Sequence, residues 1–363
     1  MQIELKKNKS VMVGMSGGVD SSVVAAILHK DGWNVIGVTL QLYKQEESIG
    51  KTKTCCGSKD THDAKMVCSN LGIPHYVINY QSEFKKDVID EFINDYKNGK
   101  TPIPCVRCNQ SVKFRDMLKV ANDLGIEYIA TGHYAQRIEK NGEIQMHKAI
   151  DTSKDQTYFL FATTREQFSK TLFPLGGYTK IQTRKIAREL GVLVSEKKES
   201  QDICFIPDGD YGKFLTKNDA SFKKQGNIIL KSTGEIIGKH NGAAFYTSGQ
   251  RRGIGIGGNE FPLYVINTDV SNNIVYVDKE DLLFSDKFII NEVNFLSNKY
   301  EKMNEFTCNI VVRALKPEVQ AVIKKISNTE YEVFLKQKTR AITAGQACVM
   351  YDATMVIGGG FIL

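Results

Sequence analysis

The sequence of 363 residues predicts an α/β protein in which a parallel sheet wrapped by helices is followed by smaller, mainly β regions. Two observations predict this fold class. Up to about residue 200, short β-branched segments alternate with segments of helical periodicity, as in parallel strands joined by helices. Beyond about residue 207 the segments are short, turn-separated and rich in glycine, which indicates antiparallel sheets. The length favours two or three domains over a single core.

The individual elements follow from the same periodicities. The predicted strands of the first part are SVMVGM, NVIGVTLQLY, HYVIN and EYIATGH. Helices are predicted at residues 21–29 and 83–96, the second because Phe84, Val88, Phe92 and Tyr96 lie on one face. Beyond about residue 284, an antiparallel barrel or sandwich is predicted by the segments CNIVVRAL, VQAVIKKI, EYEVFLKQ and ACVMYDATMVIGGGFIL.

The composition narrows the class of protein and of partner. A hydrophobic fraction of 42% predicts a globular protein, and no run approaches the roughly 18 apolar residues of a membrane span. The start of the sequence leads almost directly into a motif, so we expect a soluble, unprocessed, cytoplasmic protein without a membrane partner. The formal charge of +7 favours a polyanionic partner such as nucleic acid, although ordinary soluble enzymes share this balance.

The eight cysteines are expected to be reduced thiols, since no secretion signal is recognised. Three of them lie in apolar segments where a small buried side chain is expected: Cys68, Cys308 and Cys348. The adjacent pair Cys55 and Cys56 fits either a structural or a functional role.

The segment TPIPCVRCNQSVKF, residues 101–114, carries Cys105 and Cys108 behind two prolines, where we expect a loop. Such a pair can hold zinc, exchange electrons, bind an iron–sulfur cluster or carry sulfur. Structural zinc is disfavoured because it needs four ligands and the sequence has no second CxxC or suitable histidine pair. Thioredoxin-like exchange is disfavoured because its fold context is missing.

The segment VGMSGGVDSSVV, residues 13–24, follows a strand and opens a helix. Gly17 and Gly18 permit a sharp turn that presents amide hydrogens, and Ser16, Ser21 and Ser22 add hydroxyl donors at the positive end of the helix. The segment is neither a P-loop nor a GxGxxG dinucleotide fingerprint. It predicts a phosphate site.

Within this segment, SGGVDS resembles the PP-loop of the ATP pyrophosphatase superfamily, whose members split ATP between the α and β phosphates. Further motifs occur in the expected order: TPxPCxxCNxxxKF, ATGHYA, SKDQTYFL, ESQDICFI, YTSGQRRGIGIGG and AITAGQACVMYD. Together they make the whole chain similar to the tRNA-specific 2-thiouridylase family.

The resemblance implies three domains. An N-terminal PP-loop domain, adenine nucleotide α-hydrolase-like and Rossmann-like, is expected at residues 1–206. A small, mainly β domain that contacts tRNA is expected at 207–283, and a C-terminal β-barrel at 284–363.

The resemblance also implies an activity and its reactants. ATP adenylates the C2 oxygen of the wobble uridine, position 34 of tRNA, a persulfide on Cys204 delivers sulfur, and Cys108 attacks the persulfide to free the sulfur or resolve it as a disulfide. A partly exposed site beside Arg107 and Lys113 is expected to favour the thiolate. The expected partner besides tRNA is a sulfur donor protein, either a persulfide relay or a cysteine desulfurase.

The cofactors implied are ATP and magnesium, with Asp20 either helping to organise the metal or capping the helix. The ATP pocket is expected to be lined by Gly14, Met15, Ser16, Gly17, Gly18, Val19, Asp20, Ser21, Leu40 and Gly132. The resemblance places tRNA contacts at His133, Lys154, Asp155, Gln156, Arg313 and Gln346, the last reaching a flipped base. His133 fits a structural role equally well, and Lys197, Lys198, Arg251 and Arg252 fit phosphate contacts or solvated charges.

One departure from the family pattern leaves the mechanism open. Many relatives carry aspartate where this chain has Cys105, and a thiol replaces a carboxylate base poorly at neutral pH. Cys105 is then an auxiliary thiol, or it joins Cys108 and Cys204 as ligands of a 4Fe–4S cluster.

Other classes of function also stay open. They are another PP-loop adenylating enzyme such as an amidating synthetase, a catalytically silent RNA-binding protein, and formation of 4-thiouridine or 2-thiocytidine.

Overall fold

The structure, a computed structural model, describes residues 9–43, 58–197, 203–206, 208–258 and 260–363. The predictions made for Cys55, Cys56 and Lys198 therefore lie outside the described residues, as does the first part of ESQDICFI.

The elements alternate as predicted in the first half of the chain and become mainly β in the second. The strands are β1 Ser10–Gly14, β2 Asn34–Gln41, β3 His75–Asn79, β4 Tyr128–Ala130, β5 Gln136–Lys140, β6 Glu143–His147, β7 Thr171–Leu172, β8 Gly226–Leu230, β9 Ile236–His240, β10 Tyr264–Asp269, β11 Ile274–Asp278, β12 Phe284–Phe295, β13 Glu305–Val311, β14 Val319–Lys325, β15 Tyr331–Arg340, β16 Ala347–Asp352 and β17 Met355–Ile362. The α-helices are α1 Val19–Lys30, α2 Ser58–Asn70, α3 Gln81–Phe84, α4 Asp90–Lys97, α5 Pro104–Cys108, α6 Met117–Asp123, α7 Arg165–Ser169, α8 Lys180–Glu189, α9 Tyr211–Asn218 and α10 Asn298–Glu301. Wider π-helical turns occupy Lys85–Ile89 and Asn109–Asp116.

Two compact units account for these elements. The first, here called the sheet unit, comprises Met1–Val88, Cys105–Gly209 and Thr354–Val356. The second, the barrel unit, comprises Ile89–Pro104, Asp210–Ala353 and Ile357–Leu363. The three-domain division with boundaries after residues 206 and 283 stays a prediction.

The sheet unit is organised by a parallel sheet in the order β3-β2-β1-β4-β7. Its central strand β1 pairs with both neighbours, so that Val13 lies opposite Gly37 and Ala130. Val11, Val13 and Val35 pack against apolar residues of α1 in one buried cluster. The predicted α/β class and the four predicted strands are confirmed.

The helix predicted at residues 83–96 is interrupted by a π-helical turn between α3 and α4. Its four aromatic and aliphatic positions, spaced four apart, are nonetheless all buried: Phe84, Val88, Phe92 and Tyr96. A spacing of four over twelve residues drifts around an α-helix of 3.6 residues per turn, and a wider turn corrects that drift.

In the barrel unit, four strands form a small sheet in the order β10-β11-β8-β9 over a core that includes Ile228, Val265 and Val277. The last six strands close into a barrel, because β12 pairs with β15 on one side and with β17 on the other, where Ile290 lies opposite Ile362. The C-terminal β-barrel is therefore confirmed, and closure removes both sheet edges.

Three cysteines are buried as predicted: Cys68 on α2, Cys308 on β13 and Cys348 on β16. Burial raises the pKa of Cys68 to about 11 and that of Cys308 to about 12. Within the described ranges, no helix combines the length and apolarity needed to cross a bilayer.

Candidate active site

The predicted phosphate loop connects β1 to α1, at the edge of the parallel sheet where the carboxyl ends of its strands meet. This edge is where open α/β sheets bind ligands. Gly17 has a φ of +70°, and a Cβ there would lie 2.1 Å from the carbonyl oxygen of Asp60. Both the backbone conformation and the close approach therefore require glycine.

Hydrogen bonds fix the loop from inside and from the sheet. The Ser21 hydroxyl lies 3.1 Å from that of Ser16, and the Ser16 amide donates to Ser21 Oγ at 3.2 Å. The Met15 amide donates to the Val38 carbonyl at 2.8 Å. Ser22 is fully buried and donates to the Gly18 carbonyl at 2.8 Å, so the prediction that its hydroxyl faces a phosphate is wrong. Its place one residue further into the helix turns it toward the core.

The remaining residues predicted for the ATP pocket lie at the same edge. Gly14 ends β1, Leu40 is the penultimate residue of β2, and Gly132 follows β4. A Cβ on Gly132 would lie 2.8 Å from the amide nitrogen of Ser21, so the ATGHYA turn packs directly on the first turn of α1. Only glycine permits this approach.

Asp20 does not cap α1, which was one of the two roles predicted from the sequence, and its role in organising magnesium stays a prediction. The N-cap of α1 is Gly18, and no side chain caps it. The Asp20 carboxylate instead accepts hydrogen bonds from the Lys180 ammonium, at 2.7 and 2.8 Å, and from the Tyr134 hydroxyl at 3.0 Å. Tyr134 and Lys180 were missed in the sequence, although a lysine at the start of a helix is a signal, because the helix dipole disfavours a cation there.

Lys197 also lies against the phosphate loop. Its ammonium donates to the Gly17 carbonyl at 2.8 Å and to Asp60 and Asp63 at 2.5 and 2.6 Å. The sequence allowed Lys197 to be either a phosphate contact or a merely solvated charge. The solvated charge is excluded, because the Lys197 side chain is only 28% exposed and is ion-paired. The two aspartates were missed; their i, i+3 spacing at the start of α2 places them on one face.

The cysteine pair lies in a helix, not in the predicted loop. Pro104 opens α5, a position that proline favours, and Cys105 and Cys108 follow within this short helix. Cys105 is exposed, Cys204 is half-buried and Cys108 is 6% exposed. Beside Cys204, the Phe205 ring packs edge-on against Phe84, with 5.7 Å between ring centroids.

The expectation that Cys108 sits in a partly exposed site favouring its thiolate is wrong for this structure. Burial raises the pKa of the Cys108 thiol to about 11, while the positive charge of Lys113 acts in the opposite direction. The π-helical turn Asn109–Asp116 begins directly after Cys108. Because a π-helix aligns residues five apart, it brings Lys113 toward the face of Cys108.

His133 lies in the same electrostatic environment. Burial and the charge of Lys113 lower the pKa of His133 to about 3, so its imidazole is neutral at pH 7. Its Nδ1 lies 2.9 Å from the Thr131 hydroxyl, and its ring is 6.1 Å from that of Phe114. The ring can therefore offer a neutral hydrogen-bonding edge but not a positive charge.

No metal centre is assembled by the residues that the structure describes. Among them, no three Cys, His, Asp or Glu side chains come together as a potential ligand set. Among these described residues, Cys105, Cys108 and Cys204 are thus not arranged as cluster ligands, and Asp20 does not belong to a group of three such side chains.

In the sheet unit, the segment Lys154–Gln156 that is predicted to contact tRNA is held by hydrogen bonds of its own. Asp155 accepts hydrogen bonds from the Ala149 amide at 2.8 Å and the Thr157 hydroxyl at 2.6 Å, and burial raises its pKa. Gln156 accepts from the Tyr134 amide at 2.9 Å. Lys154 precedes them with its side chain half-buried.

The other two predicted tRNA residues lie in the barrel unit. Arg313 is exposed in the connection between β13 and β14. Gln346 precedes β16, and its amide donates to the Thr101 carbonyl at 2.8 Å. Gly345 has a φ of +85°, and a Cβ there would lie 3.0 Å from the Thr101 amide, so this turn is built around the start of the TPIPC segment.

Three family models match consecutive parts of the chain. They are described as a tRNA methyl transferase HUP domain at residues 9–208, a tRNA methyl transferase PRC-barrel domain at 213–279 and an aminomethyltransferase beta-barrel domain at 285–362. The first alone covers more than half of the chain.

Curated relatives match over nearly the full length. The chain is 47% identical over 353 residues to the tRNA-specific 2-thiouridylase MnmA of Rickettsia prowazekii (strain Madrid E), covering 97% of this chain and 98% of the relative. It is 46% identical over 356 residues to the protein of that name from Rickettsia felis, and the match covers 98% of this chain and 97% of the relative. A 4-thiouridine synthetase in complex with RNA and ATP aligns with 59% of this chain and 51% of the synthetase chain, at 15% sequence identity and a TM-score of 0.33. From the identity and its coverage, the chain belongs to the tRNA-specific 2-thiouridylase family.

Proposed function

We propose that the protein is a tRNA-uridine 2-sulfurtransferase, which uses ATP to replace the C2 oxygen of the wobble uridine by sulfur. The observation that carries the proposal is that one compact unit holds the complete SGGVDS loop together with both thiols, Cys108 and Cys204. An amidating PP-loop enzyme needs the loop but not the thiols. A silent RNA-binding protein needs neither.

The first step is adenylation. The uridine C2 oxygen attacks the α-phosphorus of ATP, pyrophosphate leaves, and the C2–O bond acquires AMP as its leaving group. The loop is suited to the departing pyrophosphate, because its amides and the start of α1 favour negative charge. Leu40 and Gly132 bound the nucleotide pocket by shape and close backbone approach.

The second step forms the C–S bond. The terminal sulfur of a Cys204 persulfide attacks C2, the C2–O bond breaks and AMP leaves, so that the base is joined to Cys204 through a disulfide. The Cys108 thiolate then attacks the Cys204 sulfur, and the electron pair of the broken S–S bond stays on the base as 2-thiouridine. In the alternative order, Cys108 attacks the Cys204 sulfur of the persulfide first and frees hydrosulfide, which then attacks C2 and displaces AMP. Both orders leave a Cys108–Cys204 disulfide, which a thiol reductant must reduce by two electrons.

Proton transfer must accompany these steps, because a Cys108 thiol with a pKa near 11 is protonated at pH 7. Lys113 supplies the charge that favours its thiolate. Neutral His133 is suited to a hydrogen bond with the uracil edge, and Cys105, which is exposed, serves as an auxiliary thiol.

The proposed role of magnesium is that of counter-ion to the ATP phosphates, and Asp20 is not proposed as its ligand. A 4Fe–4S cluster on Cys105, Cys108 and Cys204 is the second candidate mechanism, favoured by the CxxC pair itself.

The proposed tRNA contacts are Lys154, Asp155, Gln156, Arg313 and Gln346. We infer a cytoplasmic location, a persulfide relay protein or cysteine desulfurase as donor, and three domains at 1–206, 207–283 and 284–363.

The test is nucleoside mass spectrometry of unthiolated tRNA after incubation with ATP, magnesium, a persulfide donor and iron-stripped protein under reducing conditions. Appearance of 2-thiouridine is expected. If it appears only after reconstitution with iron and sulfide, the cluster mechanism replaces persulfide transfer. If neither preparation yields it while ATP is bound, the sulfurtransferase assignment fails and an amidating activity is favoured.

The variant Cys105→Ser separates the two mechanisms inside the same assay. Persulfide transfer through Cys204 and Cys108 predicts that this variant retains most of its activity. Loss of 2-thiouridine, together with loss of bound iron, supports the cluster.

A further inference from the structure

Lys180 occupies a position that a cation avoids. It is the first residue of α8, whose start is capped by Thr179 and Gln182 in a reciprocal pair of hydrogen bonds. The positive end of the helix dipole repels an ammonium there. Lys180 is nevertheless only 9% exposed, and a buried lysine requires a paired charge.

Its partner is Asp20, the only carboxylate of the SGGVDS loop. The ammonium lies 2.7 and 2.8 Å from the two carboxylate oxygens, so both are engaged. Tyr134 from the ATGHYA segment adds a third contact, donating to the same carboxylate, and its hydroxyl lies 3.0 Å from that of Thr183 on α8.

The Lys180 backbone is fixed as well. Its amide donates to Asp151 Oδ2 at 2.9 Å, and the Ser153 hydroxyl donates to Asp151 Oδ1 at 2.6 Å. The ion pair therefore joins the phosphate loop to three other segments of the sheet unit: the ATGHYA turn, the start of α8 and the turn before Asp155.

We propose that Lys180 is a positioning residue for the nucleotide, which holds the Asp20 carboxylate as an ion pair so that the loop accepts ATP phosphates without a protein-held metal. The inference rests on the proposed function, since it takes ATP as the substrate. Without the ammonium, an unpaired carboxylate in the first turn of α1 would repel the phosphates that the loop amides attract. With it, the charge of the carboxylate is balanced, and both of its oxygens accept hydrogen bonds from the protein.

The experiment measures binding of ATP with magnesium by calorimetry in the full chain. Lys180→Met is expected to weaken binding on the order of tenfold, as one uncompensated charge near the phosphates would do. The double variant Asp20→Asn with Lys180→Met removes both charges and is expected to recover most of this loss. Lys180→Arg keeps the charge and is expected to bind nearly as the parent chain does.

Lys185→Met is the matched control, because Lys185 lies on the same helix and is exposed, in an i, i+4 pair with Glu189. Its ATP affinity is expected to be unchanged. Thermal unfolding of each variant separates a loss of loop positioning from a loss of folding.

A second readout decides the role of Asp20 if Lys180→Met does not fold. Asp20→Asn alone leaves the ammonium near the phosphates and is expected to leave the half-saturating magnesium concentration unchanged. Weaker ATP binding with a raised magnesium requirement in Asp20→Asn would identify a metal ligand and overturn the proposal. So would equal ATP affinity in Lys180→Met and the parent.

Thiolation of tRNA by the parent chain is assayed in parallel. A parent that binds ATP but makes no 2-thiouridine contradicts the proposed function and leaves the ion-pair role intact. A parent that binds no ATP contradicts both.

Discussion

The phosphate loop and the thiol site lie in the same unit but are prepared to different degrees. In the loop, Gly17, Ser21 and Asp20 are all fixed by close packing, hydrogen bonds or an ion pair. At the thiol site, Cys108 is buried with a pKa near 11. The proposed nucleotide site is thus preorganised for an anion, whereas at the proposed sulfur site the Cys108 thiol is protonated at pH 7.

This difference has a chemical rationale. A persulfide or thiolate that is reactive without substrate would be oxidised or would lose its sulfur to other thiols. A thiol with a high pKa is protected until a proton acceptor or a change in burial activates it. The loop needs no such protection, because binding ATP is reversible.

The largest expected effect comes from removing either thiol. Cys108→Ser and Cys204→Ser are each expected to abolish 2-thiouridine formation, since a hydroxyl cannot carry or resolve a persulfide, while ATP binding is retained. Nucleoside mass spectrometry and calorimetry measure the two properties. Thiolation that persists in either variant would show that the two sites are not coupled as proposed.

The second largest effect is expected from a variant that disturbs the preformed conformation of the phosphate loop. Gly17→Ala adds a Cβ 2.1 Å from the Asp60 carbonyl oxygen at a φ of +70°, so both ATP affinity and Tm are expected to fall sharply. Gly72→Ala is the matched control, because Gly72 has a φ of +69° with nothing within 4 Å of the added carbon. It incurs only the backbone strain of roughly 1–2 kcal/mol and is expected to bind ATP normally. Equal losses in both variants would attribute the effect to φ alone.

The activation of Cys108 is tested by its pH dependence. Alkylation of Cys108, followed by peptide mass spectrometry, is expected to accelerate up to about pH 11, and Lys113→Met is expected to shift this rise to higher pH. Lys119→Met, an exposed lysine in α6, is the control and is expected to leave the profile unchanged. A profile that Lys113→Met does not move would remove Lys113 from the thiol site.

The raised pKa of Cys108 also predicts that the free energy of unfolding decreases at alkaline pH. The folded pKa of Cys108 lies above the ordinary value of 9.0, so the unfolded chain loses this proton first as the pH rises. Cys108 therefore contributes stability that is present below pH 9 and is lost between pH 9 and about 11. Denaturant unfolding across this range is expected to show a smaller loss in Cys108→Ser.

The smallest effects are expected at Lys154 and Asp155, two neighbouring residues of the proposed tRNA contact. Lys154→Ala is expected to weaken tRNA binding a few-fold and to lower the salt slope by about 1, with an unchanged Tm. Asp155→Ala leaves the Ala149 amide and the Thr157 hydroxyl without their acceptor, and it is expected to lower Tm. Reversed outcomes would make Asp155 the RNA contact.

Much of the fold could be predicted because periodicity reports local burial. The strands β1 to β4 and the buried cysteines on α2, β13 and β16 follow from alternation and apolar stripes. The helical position of the CxxC pair was missed because two prolines predict a loop, whereas Pro104 opens the helix. The π-helical turns were missed because sequence patterns are judged against the α-helical period.

The sequence by itself determined the chemistry: a glycine- and serine-rich anion loop after a strand, thiols at Cys108 and Cys204, and a family resemblance that the full-length relatives bear out. These are properties of residue types at fixed spacing. Only the tertiary structure decided which charges meet, because Asp20 and Lys180 are 160 positions apart and Lys197 and Asp60 are 137 apart. It also decided the protonation of Cys108 and His133, since a pKa depends on burial and on neighbouring charge, which only the packed chain defines.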